Sequence, residues 1–569
     1  RNWYSLNYNT WMQDQVEHTG KAFLGLTFNC ALCHDHKYDP ISQKEYFAFR
    51  AFFEPLEFRH DRIPGGPNVP KYVRYKPGSG ASLKPIASGL PRVFDETIDA
   101  ETRIYEGGDY RALTDDPPVK PAAPVFLAGD KLKIIPRDLP LTAWYPGRKK
   151  FIQEAELTQA QKNSATAKTS LEKNATVLNS ARQTTTLAQS ESIRARIAAD
   201  NARGTDKFEG KALAAYRVEQ LANLHASNEM VAKAHQAINS TAKDADKKKA
   251  KDQLASAQKA VATAQSALSK QSPKYTLFSP TYPKKTSGRR TALAKWITNS
   301  ENPLTARVAA NHIWARHFRQ PLAEPVYDLG RKGSRPSHPK LLDYLASELI
   351  KNNWRMKSLH RLIVTSEAYK RSSVIPNLTS QTSYSKDADN KLLWRMNSGR
   401  AEAEVIRDSI LHVAGSLDKT IGGPEIDAKK APASTRRALY FTIFPEDGGH
   451  TQFIALFDAP DPCDCYRRST SIIPQQALAM TNSKLAQDQS RILAKKMWAS
   501  TGKETAFVTA IFEQLLTRLP EPKELELCLA FLTKQKTLLK NNNKSTPDQR
   551  ARESLVHSLF SHNDFITAR

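Results

Sequence analysis

Apolar positions in residues 1–55 recur at helical spacing on both sides of a short cysteine-bearing stretch. Val16, Phe23 and Leu26 are spaced for one face of a first helix. Ser42, followed by Glu45, makes a capping-box pattern that opens a second helix, running to about Phe53 with Tyr46, Phe49 and Phe53 as its stripe. From 56 to 150 Pro and Gly become frequent and apolar runs short, as in Pro124-Val125-Phe126-Leu127, which predicts a connecting region of loops and a few short strands.

The pattern changes at 151. Residues 151–272 are rich in Ala, Lys, Gln, Ser and Thr, with no Pro and with glycines only at Gly204 and Gly210. Heptads occur at both ends: Leu157, Ser164, Leu171 and Leu178 with Ala160, Ala167 and Ala181, then Leu254, Val261 and Leu268 with Ala257 and Ala264. Leu221, Leu224, Val231 and Ile238 continue a three-four spacing after the glycines. The spacing predicts an antiparallel coiled-coil hairpin turning near Gly204 and Gly210, either a spacer or a docking arm that presents Lys247, Lys248 and Lys249. Residues 286–569 return to the pattern of a compact helical domain, with helices expected over 291–298, 303–318, 339–352 and 359–366. The fold class expected is mainly α, in four parts: 1–55, 56–150, 151–272 and 286–569.

At 569 residues the chain exceeds the roughly 250–300 at which single cores stop growing, so more than one core is expected. A formal charge of +26 favours anionic partners, among them acidic redox proteins, acidic polysaccharides and nucleic acid. Nucleic acid is disfavoured, since no reading motif and no basic surface interleaved with aromatics is visible. No run of about 18 apolar residues occurs, so no transmembrane segment is expected. The sequence opens at Arg1 inside a helical pattern, and a preceding segment, with any export signal, is expected upstream.

Chemistry concentrates in Cys30-Ala31-Leu32-Cys33-His34. Two thiols about one helical turn apart can add across the two vinyl groups of a haem, and the adjacent His then ligates the iron from the proximal side. With 5 Cys and 14 His in 569 residues, about 0.001 such matches arise by chance. Zinc is the alternative cofactor, through Cys30, Cys33, His34 and His36, although four ligands packed so closely strain a tetrahedron, and a second pair would have to come from Cys463 and Cys465. His36 is expected to hydrogen-bond locally or to touch a propionate. The sixth iron ligand stays open among Met12, Met356, Met396, Met480, His18, His312 and His317.

Phe23-Leu24-Gly25-Leu26-Thr27 followed by Cys30 to Ile41 resembles the planctomycete cytochrome c-like domain family. The second half resembles the planctomycete-specific domain of unknown function that follows it, through Gly288-Arg289-Arg290, Asn302 to Val308, Asn311-His312-Ile313-Trp314 and His338 to Asp343. Further matching stretches are Ala403-Glu404 with Arg407-Asp408, Cys465 to Arg468, Pro474 to Leu478 and Asn482. Residues 440–450 and Cys463 depart from the pattern. The resemblance implies a periplasmic or secreted bacterial protein with covalent haem c on Cys30, Cys33 and His34 only, and no catalytic residues. It makes 1–55 the C-terminal part of a cytochrome c-like domain and 286–569 the planctomycete-specific helical domain.

The resulting expectation is an extracytoplasmic c-type haem protein, an electron-transfer protein or oxidoreductase component with a redox partner protein and an anionic polysaccharide as a further candidate partner. Two alternatives stand beside it. One is a structural or binding protein of the cell envelope whose Cys/His cluster holds zinc or is vestigial. The other is a metal-dependent hydrolase using Asp35 or Asp39, of which Asp39-Pro40 reads first as a turn. The side chains of Asn311, His312, Arg407, Asp408, Arg467 and Arg468 are expected either in buried ion pairs or lining a pocket, where they could meet haem propionates.

Overall fold

A computed structural model describes residues 5–69, 89–127, 132–240, 243–373, 380–443, 451–461 and 471–568. The fold is mainly helical, with 59% helix and 5% strand. It divides into two compact units. One comprises Arg1–Val16, Ala31–Asp35 and Ile41–Trp296, the other Glu17–Cys30, His36–Pro40 and Ile297–Arg569.

Helix α1 (Ser5–Thr19) ends in a single π-helical turn, Gly20–Leu24, closed by Gly25 at φ 60°. The wide turn shifts the register, so Val16 and Leu26 are buried while Phe23, expected on the same face, is 47% exposed. Helix α2 (Gln43–Arg50) starts with the full capping box: Ser42 Oγ accepts from Glu45 N–H at 3.2 Å, and Ser42 N–H donates to Glu45 Oε2 at 2.8 Å. Tyr46, Phe49 and Phe53 are buried. Arg50 is buried with them and is tied to Asn9 Oδ1 at 2.8 Å and Glu54 Oε2 at 3.1 Å, with Tyr105 4.9 Å from its guanidinium.

In the first unit, strand β1 (Leu56–Asp61) pairs antiparallel with β2 (Leu90–Asp95), placing Phe58 opposite Val93. The two-residue strands β3 (Arg137–Asp138) and β4 (Lys285–Thr286) form a second pair. Asp95, at the end of β2, collects Thr286 Oγ1 and Ser287 N–H, each at 2.6 Å, Ser287 Oγ at 2.7 Å and Arg290 Nη2 at 3.0 Å. Burial by itself would raise this carboxyl, but the four donors outweigh it and hold Asp95 below the ordinary carboxylate range.

The 151–272 stretch holds more than the one hairpin expected. It forms four helices, α3 (Lys150–Lys173), α4 (Val177–Ala202), α5 (Phe208–Ser240) and α6 (Asp244–Leu268). Neighbours run antiparallel, as Arg182 to Glu229, Thr185 Oγ1 to His225 O and Tyr216 OH to Ala267 O require. The turn at 203–207 falls beside Gly204. The turn at 174–176 was hidden because no Gly or Pro marks it: Thr176 caps α4 by accepting from Asn179 N–H at 3.1 Å, and Asn179 Nδ2 donates to Asn174 O at 2.7 Å. The buried seam is made of Ala160, Ala167, Ala215, Ala222, Ala250, Ala257 and Ala264, while Leu221 is 39% exposed. Small alanine side chains at these positions suit closely packed antiparallel helices.

One end of this array is fixed by the fully buried Asp200. It accepts from Tyr145 OH at 2.7 Å, Tyr275 OH at 2.6 Å and Gln153 Nε2 at 3.3 Å. Burial, reinforced by the carboxylate, pushes both phenols well above their ordinary value.

After α7 (Arg289–Ile297), the second unit holds two cores. In the first, α8 (Thr305–Phe318), α9 (Pro339–Lys351) and α10 (Met356–Val364) bury Ile313, Trp314, Phe318, Leu342, Leu345, Leu349, Leu359 and Ile363. The second is built on α11 (Ala403–Ala414), α12 (Lys484–Thr501), α13 (Glu504–Leu516), α14 (Pro522–Asn541) and α15 (Pro547–Phe560), around Ile410, Leu493, Phe507, Ile511, Leu532 and Phe560. Among the described residues no helix is long and apolar enough to cross a membrane.

Replacing Asp200 by Ala strands two buried hydroxyls, and a loss of about 2–3 kcal/mol is expected from urea denaturation, with a smaller loss for Tyr145→Phe. Asp95 stabilises most above its unfolded pKa, near 3.9, and this contribution is lost as the pH falls through its depressed folded value. Asp95→Asn is therefore expected to be less stable than the parent at neutral pH and to show a smaller further loss between about pH 5 and pH 3.

Candidate functional site

Cys30 sits in a single 3-10 turn, Asn29–Leu32, which starts with Asn29 N–H donating to Glu17 Oε2 at 2.8 Å. Cys33 and His34 follow within two residues of its end. Both cysteines are free thiols, and Cys30, Cys33 and His34 are exposed.

Within the first unit the residues from Leu32 to Asp35 are held by the start of α2. Gln43 N–H donates to Asp35 Oδ1 at 2.8 Å, so Asp35 satisfies one of the unpaired amides of the helix. The side-chain amide of Gln43 donates to Leu32 O and to Tyr105 O, both at 3.0 Å. The segment after Tyr105 carries Gly108, at φ 80°, against Cys33. A Cβ at Gly108 would stand 2.5 Å from the Cys33 sulfur, so only glycine allows this approach.

His34 Nδ1 lies 2.7 Å from Asp35 O. Nδ1–H donating to a carbonyl leaves Nε2 as the lone-pair nitrogen, the arrangement in which histidines ligate metals. This donor set fits covalent haem: two free thiols at the required spacing, then an imidazole oriented by its neighbour's carbonyl.

His36 differs from His34. Its Nδ1 accepts from Asp39 N–H at 2.8 Å and Tyr38 N–H at 3.2 Å, while Nε2 lies 3.3 Å from Thr27 Oγ1 and 3.9 Å from Asp39 Oδ2. Asp39 is buried and accepts from Arg331 N–H at 2.7 Å, inside the second unit. His36 and Asp39 thus form a local anchor, and Asp39 is more than the turn residue expected. Among the described residues no group of three or more His, Cys, Asp or Glu is placed to hold a metal ion. Cys463, Cys465, Arg467, Arg468 and His450 lie outside the described residues.

Of the seven candidate sixth ligands, Met12, Met396 and Met480 are core residues, and His317 Nε2 is 2.7 Å from His360 Nδ1. Burial, then the nearby Arg316, lowers the pKa of His312. Arg407 bonds Asp408 Oδ1 and the carbonyl of Arg436, both at 2.9 Å, and the carbonyl of Ser434 at 2.5 Å, so this pair is structural. Gln43 and Gly108 were not expected at the site. The capping box marked where α2 begins, but nothing local said that the next side chain would reach back to Leu32.

A mainly helical chain with a short cysteine-histidine segment near its start thus carries the candidate chemistry. Residues 2–58 match the family model PSCyt2, a protein of unknown function (DUF1549), and residues 289–532 match PSD1, a protein of unknown function (DUF1553). Both matches are to planctomycete-type domains of unknown function, in that order along the chain. No curated protein and no solved structure matches it. The PSD1 match begins at Arg289, whose guanidinium bonds Ala51 O and Ala100 O, each at 2.8 Å, so its first residues pack in the first unit.

Cys30 and Cys33, both exposed, are expected to react readily with a maleimide. Cys528 is half-buried, and burial, then the nearby Glu524, raises its thiol pKa. Its labelling should lag by about ten-fold in a mass-spectrometric time course, and the lag should vanish in denaturant.

Proposed function

We propose that the chain attaches one haem c covalently through Cys30 and Cys33, with His34 as proximal iron ligand, and serves as an extracytoplasmic electron-transfer protein or oxidoreductase component. The observation that carries this reading is the state of the three residues: two free, exposed thiols three positions apart, and an imidazole whose Nδ1 is engaged by Asp35 O. When bound, haem supplies a one-electron couple. The chain's own residues orient the ligand. Gln43 and Asp35 hold the segment, Gly108 leaves the Cys33 sulfur accessible, and His34 presents Nε2.

Haem is favoured over zinc because His36 already spends Nδ1 on two backbone amides. The hydrolase reading is weaker because Asp35 and Asp39 each already accept a backbone amide, from Gln43 and Arg331 respectively. Covalent haem attachment places the protein outside the bacterial cytoplasm, in the periplasm or secreted. The net positive charge suits an anionic partner, a redox protein or an acidic polysaccharide.

The test is a pyridine haemochrome spectrum of native-source protein, with haem staining on a denaturing gel after thiol reduction. A covalent c-type signal is expected, reduced to a single thioether link in Cys30→Ser and abolished when Cys33→Ser is added. His34→Ala should retain thioether chemistry but alter the ligand-field spectrum. Absence of covalent haem from protein exported alongside ligation machinery would overturn the reading, and stoichiometric zinc in its place would favour a structural role in the envelope.

A further inference from the structure

A cavity of about 330 Å³ lies in the second unit, within the roughly 300–1,000 Å³ of small-ligand pockets. Three chain segments build it, and two of them belong to motifs that the haem reading leaves unused. Trp314 comes from Asn311-His312-Ile313-Trp314 on α8, and His338 opens the stretch that becomes α9.

The walls are preorganised. Fully buried Asn311 accepts from the amides of Leu322 and Ala323, at 2.8 and 3.0 Å, and donates to Ala323 O at 2.8 Å. Ser334 N–H and Ser337 N–H then bond Glu324 O and Leu322 O, each at 2.8 Å, which fastens one wall to the next. The third segment is fixed by fully buried Asn390, whose Nδ2 donates to Arg395 O at 2.8 Å. Trp314 is held in plane by stacking on Phe318, with ring centroids 4.0 Å apart.

The lining has two characters. Trp314, Leu322 and Leu393 give apolar surface. Around them stand Arg335 and Lys391, Glu324, and the polar Gln320, Ser334 and Ser337. Lys391 has an exposed carboxylate, Asp389, 3.5 Å away, whereas Arg335 has no ionic partner among the described residues. A cavity for a bare inorganic anion would not place Glu324 on its wall, because a carboxylate repels the ligand. A hydroxyl-rich ring is different: it offers C–H faces to the apolar surface, hydroxyls to Glu324, Gln320 and the serines, and an acidic group to Arg335.

We propose that this cavity binds a sugar unit bearing one acidic group, a carboxylate or a sulfate ester, with Arg335 as the residue that reads the acid. The proposal deepens the anionic-partner reading and is independent of haem, because no cavity residue belongs to the cysteine motif. Failure to find haem therefore leaves it standing, and its failure leaves the haem reading standing.

The experiment is isothermal titration of the native-source full chain with digalacturonate, a monosulfated galactose disaccharide, neutral galactobiose and sodium sulfate. One acidic disaccharide is expected to bind at least ten-fold tighter than galactobiose, and whichever binds names the acidic group. Arg335→Glu, on an exposed loop, should weaken that binding at least ten-fold with an unchanged melting temperature, and Lys391→Glu should weaken it less. Equal binding of acidic and neutral disaccharides, unchanged binding in Arg335→Glu, or displacement of the acidic sugar by equimolar sulfate would each overturn the proposal.

Discussion

The first turn of α2 is the constraint on which the candidate site depends. A helix start leaves amides without intrahelical partners, and here the capping box satisfies one end of the problem while Asp35 accepts from Gln43 N–H. Gln43 then uses its side-chain amide to grip Leu32 O and Tyr105 O. A local requirement of helix chemistry thereby becomes a positional one. The cysteine-histidine segment is short and exposed, and its geometry comes from a neighbouring helix rather than from burial of its own side chains.

The same logic recurs at other places. Asp95 gathers the start of the 286–297 region onto β2, Asp200 gathers two tyrosines at the end of the alanine-seamed helices, and Asn311 gathers the walls of the cavity. Each is a buried polar group with several partners, so removing it strands the others. In this chain apolar cores supply most of the burial, and single Asp, Asn and Gln side chains decide where loops run.

Several elements could be read directly. The capping box at Ser42 and Glu45, the helical character of 151–268 and the helices of the second unit follow from spacing and capping, which are local properties. The extra turn at 174–176 was not legible, because Thr176 and Asn179 make a cap without glycine or proline. Phe23 left its expected face because one π turn shifted the register, and Leu221 lies partly exposed rather than in the alanine seam.

What the sequence determined by itself was chemical identity: two thiols and an imidazole in Cys-x-x-Cys-His spacing, a basic balance, and stretches that match two planctomycete-type domain families. Only the three-dimensional structure separated His34 from His36, two positions apart, although the Nδ1 partners of both lie within three residues. Nδ1 of one meets a single neighbouring carbonyl and Nδ1 of the other meets two backbone amides. It alone brought Gly108 to Cys33, and Arg335 to the cavity that Trp314 lines. The reason is physical: spacing along a chain governs which groups a helix or turn can pair, whereas partners tens of residues away are set by how the cores close.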